Sequence, residues 1–281
     1  MAGIICVCGA GTMGSGIAQA AAQAGFRAIL YDVNETIILK AQSTIKRSIQ
    51  ALVEKNKIDQ SLASATLSRL AFTTDISNCI ADIIIEAIIE KKESKTELFT
   101  RLARINSAET ILATNTSSLS VSAIAENIIH PERIIGMHFF NPPVLMKLVE
   151  VVSTNYTNKK TIIRIGKLAL QLGKTPVFCK DSPGFIVNHV ARPFYIEALR
   201  LVELGLADFE TIDHLMENCG FNMGPFKLMD LIGNDINYTV SCSVYEAMNK
   251  PQRLRPSFIQ EEKVRKNELG KKTGKGYYTY S

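Results

Sequence analysis

Two residues twelve apart carry the first hint of chemistry. In MHFFNPPVLMKLVEVV (137–152), His138 ends one apolar run and Glu150 stands inside the next. An imidazole titrates close to neutral pH, so it can take a hydroxyl proton and give it back. A carboxylate on the far ring nitrogen would fix the tautomer and stabilise the imidazolium. These roles suit the oxidation of an alcohol, where a base removes the hydroxyl proton as hydride leaves carbon. The same spacing also fits a histidine bonded to backbone at a strand end, beside a surface glutamate. Polar residues follow two apolar runs: Asn115, Ser117 and Ser118 in TNTSSLS (114–120), and His138 and Asn141 in HFFNPP. The other histidines read as solvated (His130) or as surface or structural (His189, His214).

A second constellation lies at the start. Gly9-Ala10-Gly11-Thr12-Met13-Gly14 is G-x-G-x-x-G, placed directly after IICVC (4–8) and opening an Ala-rich helical stretch. That context is what makes the pattern a dinucleotide fingerprint. Gly9 serves the tight turn, Gly11 the approach of a pyrophosphate, and Gly14 the close packing of helix on sheet. The helix N-terminus offers N–H groups and a positive dipole end to the phosphates. Asp32 follows Gly14 by 18 residues, at the end of AILYD (28–32). A carboxylate there accepts from ribose hydroxyls and repels a 2′-phosphate, which favours NAD over NADP.

The elements that must position these residues alternate. Strands are expected at 4–8, 28–32, 81–87, 110–114, 133–139, 148–152 and 175–179. Helical spacing covers 35–55, extending as a Lys- and Ser-rich helix to about residue 58, then 91–105 and 158–172. This predicts an α/β Rossmann fold, a doubly wound and mostly parallel sheet. Ligands bind at the carboxyl edge of such sheets, where TNTSSLS and HFFNPP should both emerge. After Pro183-Gly184 the pattern becomes helical, with apolar residues at 186, 190, 194, 198 and 202. The expected organisation is a nucleotide-binding domain over 1–184 and an all-α domain over 185–281. So small a helical unit is expected to complete its core against a partner subunit.

Composition narrows the classes. The 281 residues carry a net charge of +5 and 46 % hydrophobic residues. No basic block is interleaved with aromatics, so nucleic acid is excluded as the expected partner. No apolar run reaches the roughly 18 residues of a membrane span. The opening MAGIICVCGAG lacks a signal peptide pattern, and a cytoplasmic protein is expected. The six cysteines, at 6, 8, 79, 179, 219 and 242, form no C-x-x-C and read as reduced, structural thiols.

The longer motifs are familiar. GAGTMGSGIAQ, IIEAIIEKKESKTELF, TNTSSLS, GMHFFNPPVLMKLVEVV, KDSPGFIVNHV, MGPFKLMDLIGND and KKTGKGYYTY occur in this order over almost the whole chain. Together they resemble the L-3-hydroxyacyl-CoA dehydrogenase family, in particular its stand-alone bacterial 3-hydroxybutyryl-CoA type. The resemblance implies NAD-linked, reversible oxidation of (S)-3-hydroxyacyl-CoA to 3-ketoacyl-CoA, with a homodimer formed through the C-terminal helical domain. It implies that His138 is the catalytic base paired with Glu150, and that Ser117 and Asn188 hold the substrate's reacting oxygen. It implies cofactor contacts at Gly9, Gly11, Thr12, Met13, Gly14, Asp32, Glu90, Lys95, Asn115, Ser117, Asn141 and Lys272. Ser48, Lys55 and Ser117 match positions that meet the CoA substrate. Cys8 stands where an aliphatic residue would be expected. No metal is implied. Other readings keep the fold: a 3-hydroxyadipyl-CoA dehydrogenase, a gulonate-type sugar-acid dehydrogenase, or a non-catalytic NAD-binding structural protein.

Overall fold

The computed structural model describes residues 3–280. The chain divides into two compact units, Met1–Asp181 and Ser182–Ser281. The division falls between Asp181 and Ser182, just ahead of the joint expected after Gly184.

The first unit begins β1 (Ile4–Cys8), α1 (Thr12–Gln23), β2 (Arg27–Tyr31), α2 (Glu35–Glu54), α3 (Gln60–Ser68) and β3 (Leu70–Thr73). It continues β4 (Ile83–Glu86), α4 (Lys92–Ile105), β5 (Ile111–Thr114), α5 (Val121–Ala125) and β6 (Ile134–Phe139). It closes with β7 (Leu148–Ser153), α6 (Lys159–Gln171) and β8 (Thr175–Lys180). Among the described residues these strands form one sheet, in the order β3-β2-β1-β4-β5-β6-β7-β8. The first six follow the doubly wound dinucleotide-binding order. Every neighbouring pair is parallel except β6–β7, which is antiparallel.

Local chemistry explains the main elements. β1, β4 and β5 are short, apolar and buried, as parallel strands covered on both faces must be. α2 starts where Asn34 accepts from the Thr36 and Ile37 amides, and it buries Ile38, Ala41, Ile45 and Ile49 along one face. Asn158 caps α6 in the same way, accepting from Thr161 N at 2.8 Å. One core joins Ile5 and Val7 of β1 to Ala18 of α1, Ile45 of α2 and Ile165 and Leu168 of α6. Each of the Ile, Val and Leu side chains contributes about 1.5–3 kcal/mol on burial.

The expected strands lie where the apolar runs placed them, with ends shifted by a residue or two. Two features differ. α2 stops at Glu54 rather than running on to 58, and Asn56 adopts φ 51. α3 and β3 follow it, a short helix and a four-residue strand at the sheet edge that periodicity did not mark.

The second unit is helical: α7 (Val187–Glu203), α8 (Phe209–Asn218), α9 (Pro225–Ile232), α10 (Asn234–Ala247) and α11 (Phe258–Arg265). Tyr195, Leu199, Ile212, Phe226, Met229 and Tyr277 form its main core cluster. Two of its buried charged groups illustrate how such groups are satisfied. Arg192 donates to Asn237 O at 3.0 Å and Ser241 Oγ at 2.8 Å. Asp230 is fully buried and accepts from the Tyr277 and Tyr278 amides, each at 3.0 Å, and from Asn234 Nδ2 at 2.8 Å. One carboxylate of α9 therefore fastens the closing KGYYTY segment.

Candidate active site

The dyad read from sequence is formed. His138 and Glu150 are directly opposed across the antiparallel β6–β7 pair. His138 Nδ1 and Glu150 Oε2 are 2.7 Å apart, both groups buried. The carboxylate accepts Nδ1–H, which puts the ring's lone pair on Nε2. Phe140 lies against the imidazole, ring centroids 4.6 Å apart. Beyond Glu150, the Cys179 thiol is pushed up to about 11, by burial first and then by the charges of Glu150 and Asp181.

The loop after β5 is held from two sides. Asn115 Oδ1 accepts from Phe139 N at 2.8 Å, which ties this loop to the residue after His138. Glu90 Oε1 gathers four donors: Thr116 Oγ1 at 2.5 Å, Ser117 N at 3.0 Å, Ser118 N at 3.2 Å and Ser118 Oγ at 3.1 Å. Its other oxygen is 3.2 Å from Lys95 Nζ, and Lys95 also meets Glu86 Oε1 at 2.6 Å. Burial pushes the Glu90 carboxyl up, but Lys95 and the loop donors outweigh it and hold it below the usual range. Glu86 goes the other way: burial dominates over Lys95 and Thr114 and raises it. Ser117 thus sits on a loop clamped by a Glu86–Lys95–Glu90 chain whose Glu86 and Lys95 are buried. Glu86, Thr114 and Thr116 were not among the sequence candidates. Their signal was present but weak, a Glu closing IIIE and a Lys nine residues on, which also describes surface charges.

The fingerprint turn is built as its glycines require. Gly9 has φ +104, and a Cβ there would stand 2.5 Å from Ala87 O. A Cβ on Gly14 would stand 1.7 Å from Gly9 O. Around Gly11 nothing lies within 4 Å of where a Cβ would be, so the backbone is open to a ligand. Thr12 and Met13 open α1, whose N-terminus has no side-chain cap. Asp32 is half-buried and accepts from Ala10 N at 2.9 Å and Asn34 N at 3.0 Å. Amide donors at the turn, an uncapped helix start and a carboxylate after β2 fit a dinucleotide.

The remaining candidates are placed individually. Asn141 is exposed after β6. Ser48 is half-buried in α2, and Lys55 is exposed just past its end. In the second unit, Asn188 is the second residue of α7, and Lys272 Nζ lies 2.5 and 2.7 Å from the Asp235 carboxylate.

Two family profiles cover the chain: the 3-hydroxyacyl-CoA dehydrogenase NAD binding domain over residues 4–182, and the C-terminal domain of the same family over 184–280. The chain belongs to the 3-hydroxyacyl-CoA dehydrogenase family. Its cofactor is NAD. It is 45 % identical over 278 residues to the 3-hydroxyadipyl-CoA dehydrogenase of Escherichia coli K12, covering 98 % of this chain and 58 % of that protein. It is 39 % identical to a probable 3-hydroxybutyryl-CoA dehydrogenase of Deinococcus radiodurans, covering 98 % and 99 % of the two chains. Among solved structures, (S)-3-hydroxybutyryl-CoA dehydrogenase of Ralstonia eutropha superposes with a TM-score of 0.94 at 36 % identity, covering 99 % of each chain. The chain spans about six tenths of the length of its Escherichia coli relatives and nearly all of the other two.

Proposed function

We propose that the protein catalyses the NAD-linked interconversion of (S)-3-hydroxyacyl-CoA and 3-ketoacyl-CoA, with a short acyl chain such as 3-hydroxybutyryl. The observation that carries this reading is the buried His138–Glu150 pair at 2.7 Å, on the strand beside the clamped Ser117 loop. NAD, when bound, supplies the acceptor for the hydride that leaves C3. His138 takes the hydroxyl proton on Nε2. Glu150 keeps the ring in the accepting tautomer and offsets the imidazolium charge as it forms. In the reducing direction the same imidazolium returns the proton. Ser117 holds the 3-oxygen, on a loop whose position Glu90 fixes. Asn188 is assigned to that oxygen by the resemblance alone, as are Ser48 and Lys55 to CoA and Asn141 and Lys272 to the cofactor.

The test is NADH oxidation with acetoacetyl-CoA, run beside free acetoacetate and beside NADPH. Thioester-dependent, NADH-preferring turnover supports reaction class, CoA recognition and the role of Asp32 together. Turnover of free hydroxy or sugar acids in place of thioesters overturns the substrate. A second substrate reading, 3-hydroxyadipyl-CoA, is favoured by the name of the Escherichia coli relative. A higher kcat/KM for the dicarboxylic thioester than for the butyryl one would establish it.

A homodimer through the second unit is supported by its exposed apolar side chains, among them Val190, Leu204, Leu206 and Phe258. A monomeric mass in light scattering at micromolar concentration overturns that assignment. A cytoplasmic site is supported by free cysteines, which suit a reducing compartment. No helix among the described residues is long and apolar enough to cross a membrane.

A further inference from the structure

Three thiols converge where the sequence shows only scattered cysteines. Cys6 and Cys8 alternate along β1, so they project to one face of the sheet, opposite to Ile5 and Val7 of the core. Cys79 comes to them from the turn before β4, at the end of a short 3-10 segment. All three side chains are fully buried. Their sulfurs lie within 4.8 Å of one another, and Cys6 Sγ and Cys8 Sγ are 3.9 Å apart. Thiolates bound to one metal at about 2.3 Å stand about 4.0 Å apart in a trigonal plane and about 3.8 Å apart in a tetrahedron. The Cys6–Cys8 separation matches that spacing, and Cys79 lies within 4.8 Å of both.

Its donors also select the ion. Magnesium and calcium take oxygen ligands, and none is present in the set. Structural zinc is almost always four-coordinate. Among the described residues no further His, Cys, Asp or Glu joins the three sulfurs. Thiolate sets of this kind select soft ions such as monovalent copper. We propose that Cys6, Cys8 and Cys79 form a binding site for a soft, thiophilic d10 metal ion, monovalent copper before zinc. The ion replaces thiol protons, which leave to solvent as each sulfur ligates. Hydrogen bonds from Cys6 and Cys8 hold the Cys79 thiol below its ordinary value. The Cys6 thiol is pushed well up by its bond to Cys79, and the Cys8 thiol by its bond to Cys6, with burial adding to both. A packing role alone asks only for small apolar volume and predicts no metal affinity.

The experiment is an anaerobic titration of the reduced, metal-free protein with monovalent copper against the chromophoric chelator bicinchoninate, repeated with zinc. Each mixture is held until its signal is constant, because the site is buried. The expected result is one copper per chain, bound more tightly than zinc. Cys79→Ser should weaken it by more than the roughly 10–100-fold that loss of a supporting group costs. Cys219→Ser, at an exposed thiol, should change nothing. Native NADH affinity and melting temperature show that the variants are folded. X-ray absorption of the copper-loaded parent should show sulfur neighbours only, a readout that needs no variant. Absence of stoichiometric copper binding, tighter zinc binding, undiminished binding by Cys79→Ser, or nitrogen and oxygen neighbours would each overturn the proposal.

Discussion

Replacing Glu150 with glutamine removes a charge and almost no volume, so it isolates what the carboxylate does. The group is fully buried, and its Oε2 lies 2.7 Å from the imidazole. In the ground state the bond joins a neutral ring to an anion. In the transition state it joins an imidazolium to an anion, and that gain is what the amide cannot reproduce. A hydrogen bond to a charged group contributes about 1.5–3 kcal/mol, with little solvent here to screen it. At about 1.4 kcal/mol per decade this lowers kcat about 10- to 150-fold. If the amide NH2 turns toward Nδ1, the ring carries its proton on Nε2 and cannot accept another, and the loss grows toward about 10⁴-fold. The assay is NAD reduction at saturating (S)-3-hydroxybutyryl-CoA, the direction in which His138 must accept the proton, with NADH affinity and thermal melting measured on the same preparation. The expected result is a fall in kcat with unchanged NADH affinity and a folded protein. A kcat within about threefold of the parent, or a loss confined to KM, refutes the dyad argument.

Other substitutions separate the parts. His138→Ala should lower turnover about 10²–10⁴-fold while leaving NADH binding intact, and near-parental turnover on acyl-CoA would remove the base assignment. Asp32→Ala should weaken NADH binding, measured by fluorescence titration, with kcat at saturating NADH nearly unchanged; unaltered affinity counts against the ribose contact. Glu268 is held down to about 2 by hydrogen bonds to Lys263 and Lys275, so in the folded state it ionises well below its ordinary 4.5. A depressed carboxyl stabilises fully above its unfolded value and loses that contribution as pH falls through the folded one. The melting-temperature gap between the parent and Glu268→Gln should therefore be widest above about pH 4.5 and close toward pH 2. An equal gap across that range contradicts the assignment.

What could be read from the sequence was what local pattern encodes. β1, the glycine turn, α1 and the acid after β2 were legible because an apolar run, a fingerprint and Asp32 fall in register within 32 residues. β3 was not, because LAFT is four half-buried residues at an edge and carries no alternation. Glu90 and Lys95 were found through resemblance, but their service to the Ser117 loop needed the fold. Their partner Glu86 lies on a strand and Lys95 on a helix, and nothing local says that both ends of the pair are buried. Asp230 and the tail it holds are 47 to 50 residues apart. The three thiols were set aside as separate hydrophobes because Cys79 is 71 residues beyond Cys8.

The dyad itself turns on the one reversal in the sheet. Spacing alone left His138 open to two readings, since twelve residues can separate a pair or two strangers. In a parallel continuation, the chain after β6 would need a crossover of a dozen or more residues before the next strand could begin. Here only residues 140–147 lie between β6 and β7, so the strand returns antiparallel. Antiparallel neighbours place opposed residues with Cβ atoms about 4.5–5.5 Å apart, on the same face. His138 and Glu150 are such a pair, which is why a 2.7 Å bond forms without help from a loop. The orientation of the proposed base is thus fixed by sheet register, the stiffest device the fold has. Ser117, by contrast, depends on a loop and needs the Glu86–Lys95–Glu90 chain to hold it. Damage to that chain should therefore loosen Ser117, and with it the hold proposed for the substrate oxygen, and leave the His138–Glu150 pair in place.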